Sequence, residues 1–219
     1  MQDRIKAIAE AVADLFLQQG YSKTQISHIA KAVGVSVGTI YLDFAGKKEI
    51  MHFVLKSTID PAFADQDFQR PITDDLFGGK SGDDFAKHLA QAASAYSLED
   101  LVSDAFDLLA RYAVGCLFIE KNQFDFPYLA AAYKKSRQRF HQTMTAYLNA
   151  FVAAGTVRPL ALTTTLIVEL LSWWAMDVRY TSFEKPAVPL PLAKAVCMDN
   201  IIAAYQCPSG RFVPPAPRP

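Results

Sequence analysis

Ser36, Val37, Gly38, Thr39 and Tyr41 crowd small, hydroxyl-bearing and aromatic groups into one short run. Such a set could meet the floor of a DNA groove. Gly38 permits close backbone approach, the methyls of Val37 and Thr39 suit thymine, and the hydroxyls can take polar contacts. The run holds no Arg, Lys, Asn or Gln, so the bidentate contact to guanine is unavailable from it. Lys23, Gln25 and His28 flank it and could add polar reads. The positioning elements are legible on either side. Thr24 can cap a helix from Gln25 to about Ala32, with Ile26, Ile29, Ala30 and Val33 along one face. Gly34 stands where a tight turn needs positive φ. Ser36 then caps a second helix, Val37 to Leu42, anchored by Ile40. Two short crossed helices of this kind place the second one in a DNA major groove.

Upstream, Ile5, Ile8, Ala9, Val12, Leu15 and Phe16 recur at helical spacing up to Gly20-Tyr21. With that helix in place the chain resembles the TetR family of bacterial repressors over residues 4–50. The resemblance is carried by Phe16, Gly20-Tyr21, Thr24, Ile29-Ala30, Val33-Gly34-Val35-Ser36, Gly38-Thr39-Ile40-Tyr41, Phe44, Lys47 and Glu49. It implies that Thr24, Tyr41 and Lys47 grip phosphates, Lys47 helped by the positive end of its own helix. Asp43 departs from the family pattern, which often has an aromatic residue or His there. Beyond residue 50 the resemblance is architectural only.

Composition agrees with a folded regulator. The chain has 219 residues, 51% of them hydrophobic, and a net charge of zero, so DNA binding must rest on local residues. Residues 1–50 hold six basic side chains against five acidic ones, which predicts modest affinity per subunit and a need for dimerisation. Residues 60–107 hold eleven acids against Arg70, Lys80 and Lys87, and should face away from a phosphate backbone. Cys116, Cys197 and Cys207 form no close pair, which argues against a disulfide framework or a metal cluster and for a reducing, cytoplasmic setting. No signal peptide is read at the start. Leu160 to Met176 is the most hydrophobic segment, but it contains Glu169 and three threonines and is too short to cross a bilayer comfortably.

The predicted fold is all-α: a three-helix DNA-binding domain over 1–50, a larger helical ligand-binding and dimerisation domain over 51–206, and a Pro-rich tail over 207–219. Helices are expected from Gly46 to Pro61, Asp83 to Tyr96, Leu98 to Lys121 with a Ser97/Asp100 capping box, Pro127 to Gly155, Pro159 to Thr181, and Leu190 to Gln206. A long irregular loop is expected over 62–82.

The resemblance implies that the last two long helices pair with their copies in a homodimer. Leu162, Leu166 and Leu170 on one helix, with Val196 and Ile201 on the other, offer the apolar surface this would need. For a ligand pocket the candidates are Phe106, Tyr112, Tyr133, Phe140, Met144, Trp173 and Trp174, which could together line an apolar cavity with a few polar handles. For each of them singly, core packing is the commoner role. Arg111 is expected to pair with Asp104 or Asp107 on its own helix, with an acidic ligand as the other candidate partner. Lys134, Lys135, Arg137 and Arg139 read as a solvated face, with pairing to the acidic 60–107 stretch as another use.

The leading expectation is a repressor that binds a palindromic operator as a dimer and is released by a small, mostly hydrophobic effector. The alternative is a ligand-independent DNA-binding protein whose second domain docks another protein. No Gly-rich phosphate loop, metal-ligand spacing, Gly-x-Ser-x-Gly or nucleophile–base pair is found, so neither an enzyme nor a cofactor is expected.

Overall fold

Ile5, Ile8, Val12 and Phe16 lie three to four residues apart on helix α1 (Gln2–Gln19) and are all buried. That spacing puts them on one stripe of the helix, which packs against α2 (Ile26–Val33), α4 (Lys47–Ile59) and α5 (Leu98–Lys121). This computed structural model describes residues 2–59, 96–159, 162–178 and 188–207. The predicted loop over 62–82, the predicted helix over 83–96 up to Tyr96, and the tail from Pro208 lie outside the described residues.

Between α2 and α3 (Val37–Asp43) the chain turns at Gly34, whose φ is +75°, and Val35 N–H donates back to Ala30 O at 2.9 Å. The expected cap of α2 shifts by one residue. Gln25 occupies the cap position, and its backbone N–H meets His28 Nδ1 at 3.4 Å. Thr24 does not cap because its hydroxyl is engaged behind it, donating to Gly20 O at 2.8 Å and accepting from Gln19 Nε2 at 3.2 Å.

The second domain is organised around α5, which packs against α4, α6 (Pro127–Ala153), α7 (Thr163–Ser172) and α8 (Leu190–Tyr205). Its start is the predicted capping box: Ser97 Oγ accepts from Asp100 N–H at 3.1 Å and Asp100 Oδ2 accepts from Ser97 N–H at 2.9 Å. Phe106 and Phe118 on this helix are essentially unexposed, and such a side chain contributes about 2–3 kcal/mol by leaving water. Among the described residues the architecture is all-α, a helix-turn-helix unit joined to a larger helical domain, and no helix is long and apolar enough to cross a membrane.

Two local features depart from the helical pattern. The helix expected to open at Pro159 starts at Thr163 instead. Arg158 N–H donates to Tyr205 O and Cys207 N–H to Thr156 O, both at 2.9 Å, and these bonds hold 156–158 extended against the end of α8. Further on, α7 runs directly into a π-turn, Trp173–Asp177, which buries Ala175 and Met176 and leaves Trp173 about half exposed.

Candidate nucleic-acid interface

Helix α3 is fixed from below and open above. Ile40 is fully buried, while Val37, Tyr41 and Leu42 are 41%, 54% and 81% exposed. Ser36 caps the helix by accepting from Thr39 N–H at 3.1 Å, and the two hydroxyls lie 2.9 Å apart, so a pair of hydroxyls marks the exposed N-terminal end. Leu42 did not figure among the sequence candidates, and its exposure on this face brings it in. Gly38 has a helical φ, and a Cβ there would meet only Ser36 Oγ at 3.7 Å. The fold itself therefore does not require glycine at 38, whereas close approach by a partner surface would.

The other expected contacts are placed differently. Gln25 is exposed at the start of α2 and accepts from Ser27 Oγ at 3.4 Å. Thr24 is 1% exposed, so its hydroxyl faces the protein. Lys47, the first residue of α4, turns inward: Nζ donates to Tyr21 O at 2.8 Å and to Thr24 O at 2.9 Å, and lies 4.2 Å from the Tyr21 ring centre. Glu49 in the first turn of the same helix folds back to accept from Ala45 N–H, two residues before the helix begins.

The turn between α1 and α2 also docks onto the second domain. Tyr21 N–H donates to Asn122 Oδ1 at 2.8 Å, Ser22 Oγ donates to the Asp125 carboxylate at 2.7–2.8 Å, and Lys121 Nζ donates to Leu17 O at 2.6 Å. Phe16, Tyr21, Phe118 and Phe126 form one aromatic cluster across this junction, with centroids 4.7–6.4 Å apart. Burial, with Asp125 nearby, pushes the Tyr21 hydroxyl above its usual range.

The seven residues expected at a pocket differ in burial. Phe106, Phe140 and Met144 are packed into the core, Tyr112, Tyr133 and Trp174 are half-buried, and Trp173 lies at the surface. A groove of about 520 Å³ lies between α6 and the start of α7, lined by His141, Thr145, Asn149, Leu162 and Thr163–Thr165 among others, and none of the seven lines it. Of the dimer candidates, Leu162 and Leu166 are exposed and Leu170 and Val196 half-buried, but Ile201 is fully buried within its own protomer and cannot reach a partner.

A polar cluster that the sequence had hidden connects α5, α6 and α7. Arg137, read as part of a solvated basic run, donates to Ser172 Oγ at 2.8 Å and pairs with Glu169 at 3.4 Å. Tyr133 donates to Glu120 at 2.6 Å, and burial with Cys116 and Glu120 alongside raises its hydroxyl far above the usual range. Burial, with Glu120 adding to it, pushes the Cys116 thiol up to about 12. The partners expected for Arg111 are engaged elsewhere: Asp107 bridges to Lys194 at 2.7 Å and Asp104 accepts from Tyr96.

Residues 8–53 match the profile of bacterial regulatory proteins, tetR family. The chain is 38% identical over 60 residues to the HTH-type transcriptional regulator HbdR of Aromatoleum sp. (strain CIB), and the match covers 27% of this chain and 26% of that protein. It is 41% identical over 49 residues to the fatty acid metabolism regulator protein of Bacillus subtilis (strain 168), covering 22% of this chain and 25% of the relative. The chain thus spans about a quarter of the length of the curated relatives it matches. At the level of fold, it is similar to the ketosteroid transcriptional regulator KstR2 of Mycobacterium tuberculosis, with a TM-score of 0.58 and 19% identity over 94% of this chain and 96% of that one. A transcriptional regulator from Saccharomonospora viridis in complex with choline is similar at a TM-score of 0.52 and 16% identity, covering 93% and 97%. Residues 8–53 thus form a helix-turn-helix unit of the kind found in the tetR family of bacterial regulatory proteins.

Proposed function

We propose that the protein is a dimeric, cytoplasmic transcription regulator, a repressor that binds a palindromic DNA operator and leaves it when a small, mostly hydrophobic effector binds the second domain. The observation that carries the reading is the α3 face. Val37, Gly38, Tyr41 and Leu42 stand out from a helix anchored by the fully buried Ile40, with Thr39 half-buried beside them, and Gly38 leaves open a place for close approach. Gln25 and Ser36 border this face and add polar contacts. Tyr41 supplies a hydroxyl to a phosphate, and the first N–H groups of α4, beginning at Lys47, present the positive end of that helix. With no Arg or Lys on the face, DNA shape and backbone positioning carry much of the specificity.

Dimerisation supplies the second recognition helix, about one turn of DNA away. Exposed Leu162, Leu166 and Trp173 on α7 and its π-turn, with Leu192 on α8, support this pairing. The names of two similar proteins, a fatty acid metabolism regulator protein and a ketosteroid transcriptional regulator, are in keeping with a hydrophobic effector. Tyr112, Tyr133 and Trp174 are the half-buried members of the expected set and the ones we assign to contact with such a ligand. The alternative, a second domain that docks a protein without sensing a ligand, is favoured by the close packing of Phe106, Phe140 and Met144 and by Phe124, which is 92% exposed.

The test is selection of binding sequences from a random DNA pool by the purified protein, followed by titration of the winner. A palindrome whose binding is abolished by Tyr41→Ala supports the reading. No enrichment by a folded dimer at low salt defeats it.

A further inference from the structure

The turn between α1 and α2 is gripped from two directions. On the side of the DNA-binding unit, Lys47 places Nζ on Tyr21 O and Thr24 O and over the Tyr21 ring, using two of its three donors within the protein. On the side of the second domain, Asn122 takes the N–H of the same Tyr21. Asn122 is 4% exposed and satisfied at both ends, since its Nδ2 donates to Phe118 O at 2.7 Å. A buried amide held this way resists any slip of the junction, because movement would leave polar groups unpaired away from water. Lys47 lies four residues past the end of the recognition helix, and Asn122 caps the end of α5. Recognition unit, Lys47, Tyr21 turn, Asn122 and second domain are therefore linked in series.

We propose that Lys47 and Asn122 are positioning residues that, through the Tyr21 turn, set the angle of the recognition helix relative to the second domain, and that the Lys47 side chain makes no phosphate contact. The inference rests on the DNA-binding reading above. It assigns the second domain a route to the DNA through the α5–α6 corner, in addition to the covalent connection through α4.

The experiment measures affinity against salt concentration for the wild type, Lys47→Met, Asn122→Ala and the double variant, on an operator recovered by selection. Each single variant is expected to weaken binding about tenfold, equivalent to about 1.4 kcal/mol. The slope of log K against log[salt] should stay at the wild-type value, and links in series make the double variant no weaker than the weaker single one. A phosphate contact would behave otherwise. Lys47→Met would lower the slope by about 0.9 for each lysine lost, Asn122→Ala would bind as the wild type, and the effects would add. Any of these results overturns the proposal.

Amide hydrogen exchange on the free protein gives a readout that needs no DNA. Tyr21 N–H should exchange faster in both single variants, and unchanged protection in Lys47→Met would overturn the series link. If no operator is recovered while Tyr21 exchange responds as expected, the DNA-binding reading has failed and the Lys47 role falls with it, leaving only a junction between domains. Should Asn122→Ala not fold, Asn122→Asp keeps the acceptor for Tyr21 and loses only the donor to Phe118 O, so it should bind and exchange nearer to the wild type. Tyr21 exchange in Asn122→Asp as fast as in Lys47→Met would overturn the assignment of the Tyr21 acceptor.

Discussion

Arg137 Nη1 donates to Ser172 Oγ at 2.8 Å, one residue before α7 gives way to the π-turn at Trp173. Ser172 is 5% exposed, so this hydroxyl has left water and depends on its protein partner. The bond ties the middle of α6 to the point where the α7 ladder changes register.

Removing Arg137 alone should be worse than removing both partners. Arg137→Leu leaves the Ser172 hydroxyl buried without its donor and is expected to cost about 1–3 kcal/mol in urea unfolding. Arg137→Leu with Ser172→Ala should recover part of that loss, because no polar group is then stranded. A double variant as unstable as the sum of the two singles would show that Ser172 does not depend on Arg137.

The two glycines of the helix-turn-helix should respond in opposite ways. Gly34 has φ +75°, so Gly34→Ala forces an L side chain into the left-handed region and should cost about 1–2 kcal/mol. Gly38 is helical and unobstructed, so Gly38→Ala should leave stability unchanged or raise it by up to about 1 kcal/mol through helix propensity. Operator binding should show the reverse order, with Gly38→Ala the more damaging. Thermal melts beside binding titrations separate the two effects.

This contrast also shows which parts of the fold were legible in the sequence. Gly34, Ser36, Ile40 and the Ser97/Asp100 box act within one turn of their own helices, and all were readable from residue type and spacing. Thr24 was misassigned because two neighbouring polar residues could each cap α2. The choice was made by Gln19 and Gly20, which take the Thr24 hydroxyl. Lys47 carries the family's signature position, yet its direction depends on carbonyls 23 and 26 residues earlier. Arg137 was concealed within a basic run because nothing local marks Ser172, 35 residues away, as its acceptor. The π-turn, which buries Ala175 and Met176, has no sequence signature of its own.

The junction between domains should be among the most sensitive places in the core. Phe118 is 1% exposed and packs against Phe16, Tyr21 and Phe126. Phe118→Ala should cost about 3–5 kcal/mol, the range for emptying a buried aromatic site. Tyr41, 54% exposed on α3, provides the control: Tyr41→Ala should shift stability by no more than about 0.5 kcal/mol while abolishing operator binding. A large loss of stability in Tyr41→Ala would place that ring in the core.

The cysteines give a prediction about pH. Burial pushes the Cys116 and Cys197 thiols from an ordinary value of 9.0 up to about 12, while Cys207 is only partly buried. At pH 8 a thiol-specific reagent should therefore label Cys207 quickly in the folded protein and the other two only after urea is added. The same shifts have a consequence for stability. Between about pH 9 and 12 the unfolded chain has released these two protons and the folded chain still holds them. The unfolded state then binds fewer protons, and stability must fall as pH rises through that window. Below pH 9 both states hold the protons and the two thiols contribute no slope. Replacing both with Ala should flatten the alkaline decline, measured by urea midpoints from pH 8 to 11. An unaltered decline would mean that other groups, such as Tyr133 and Tyr96, whose hydroxyls burial also raises, dominate the alkaline limb.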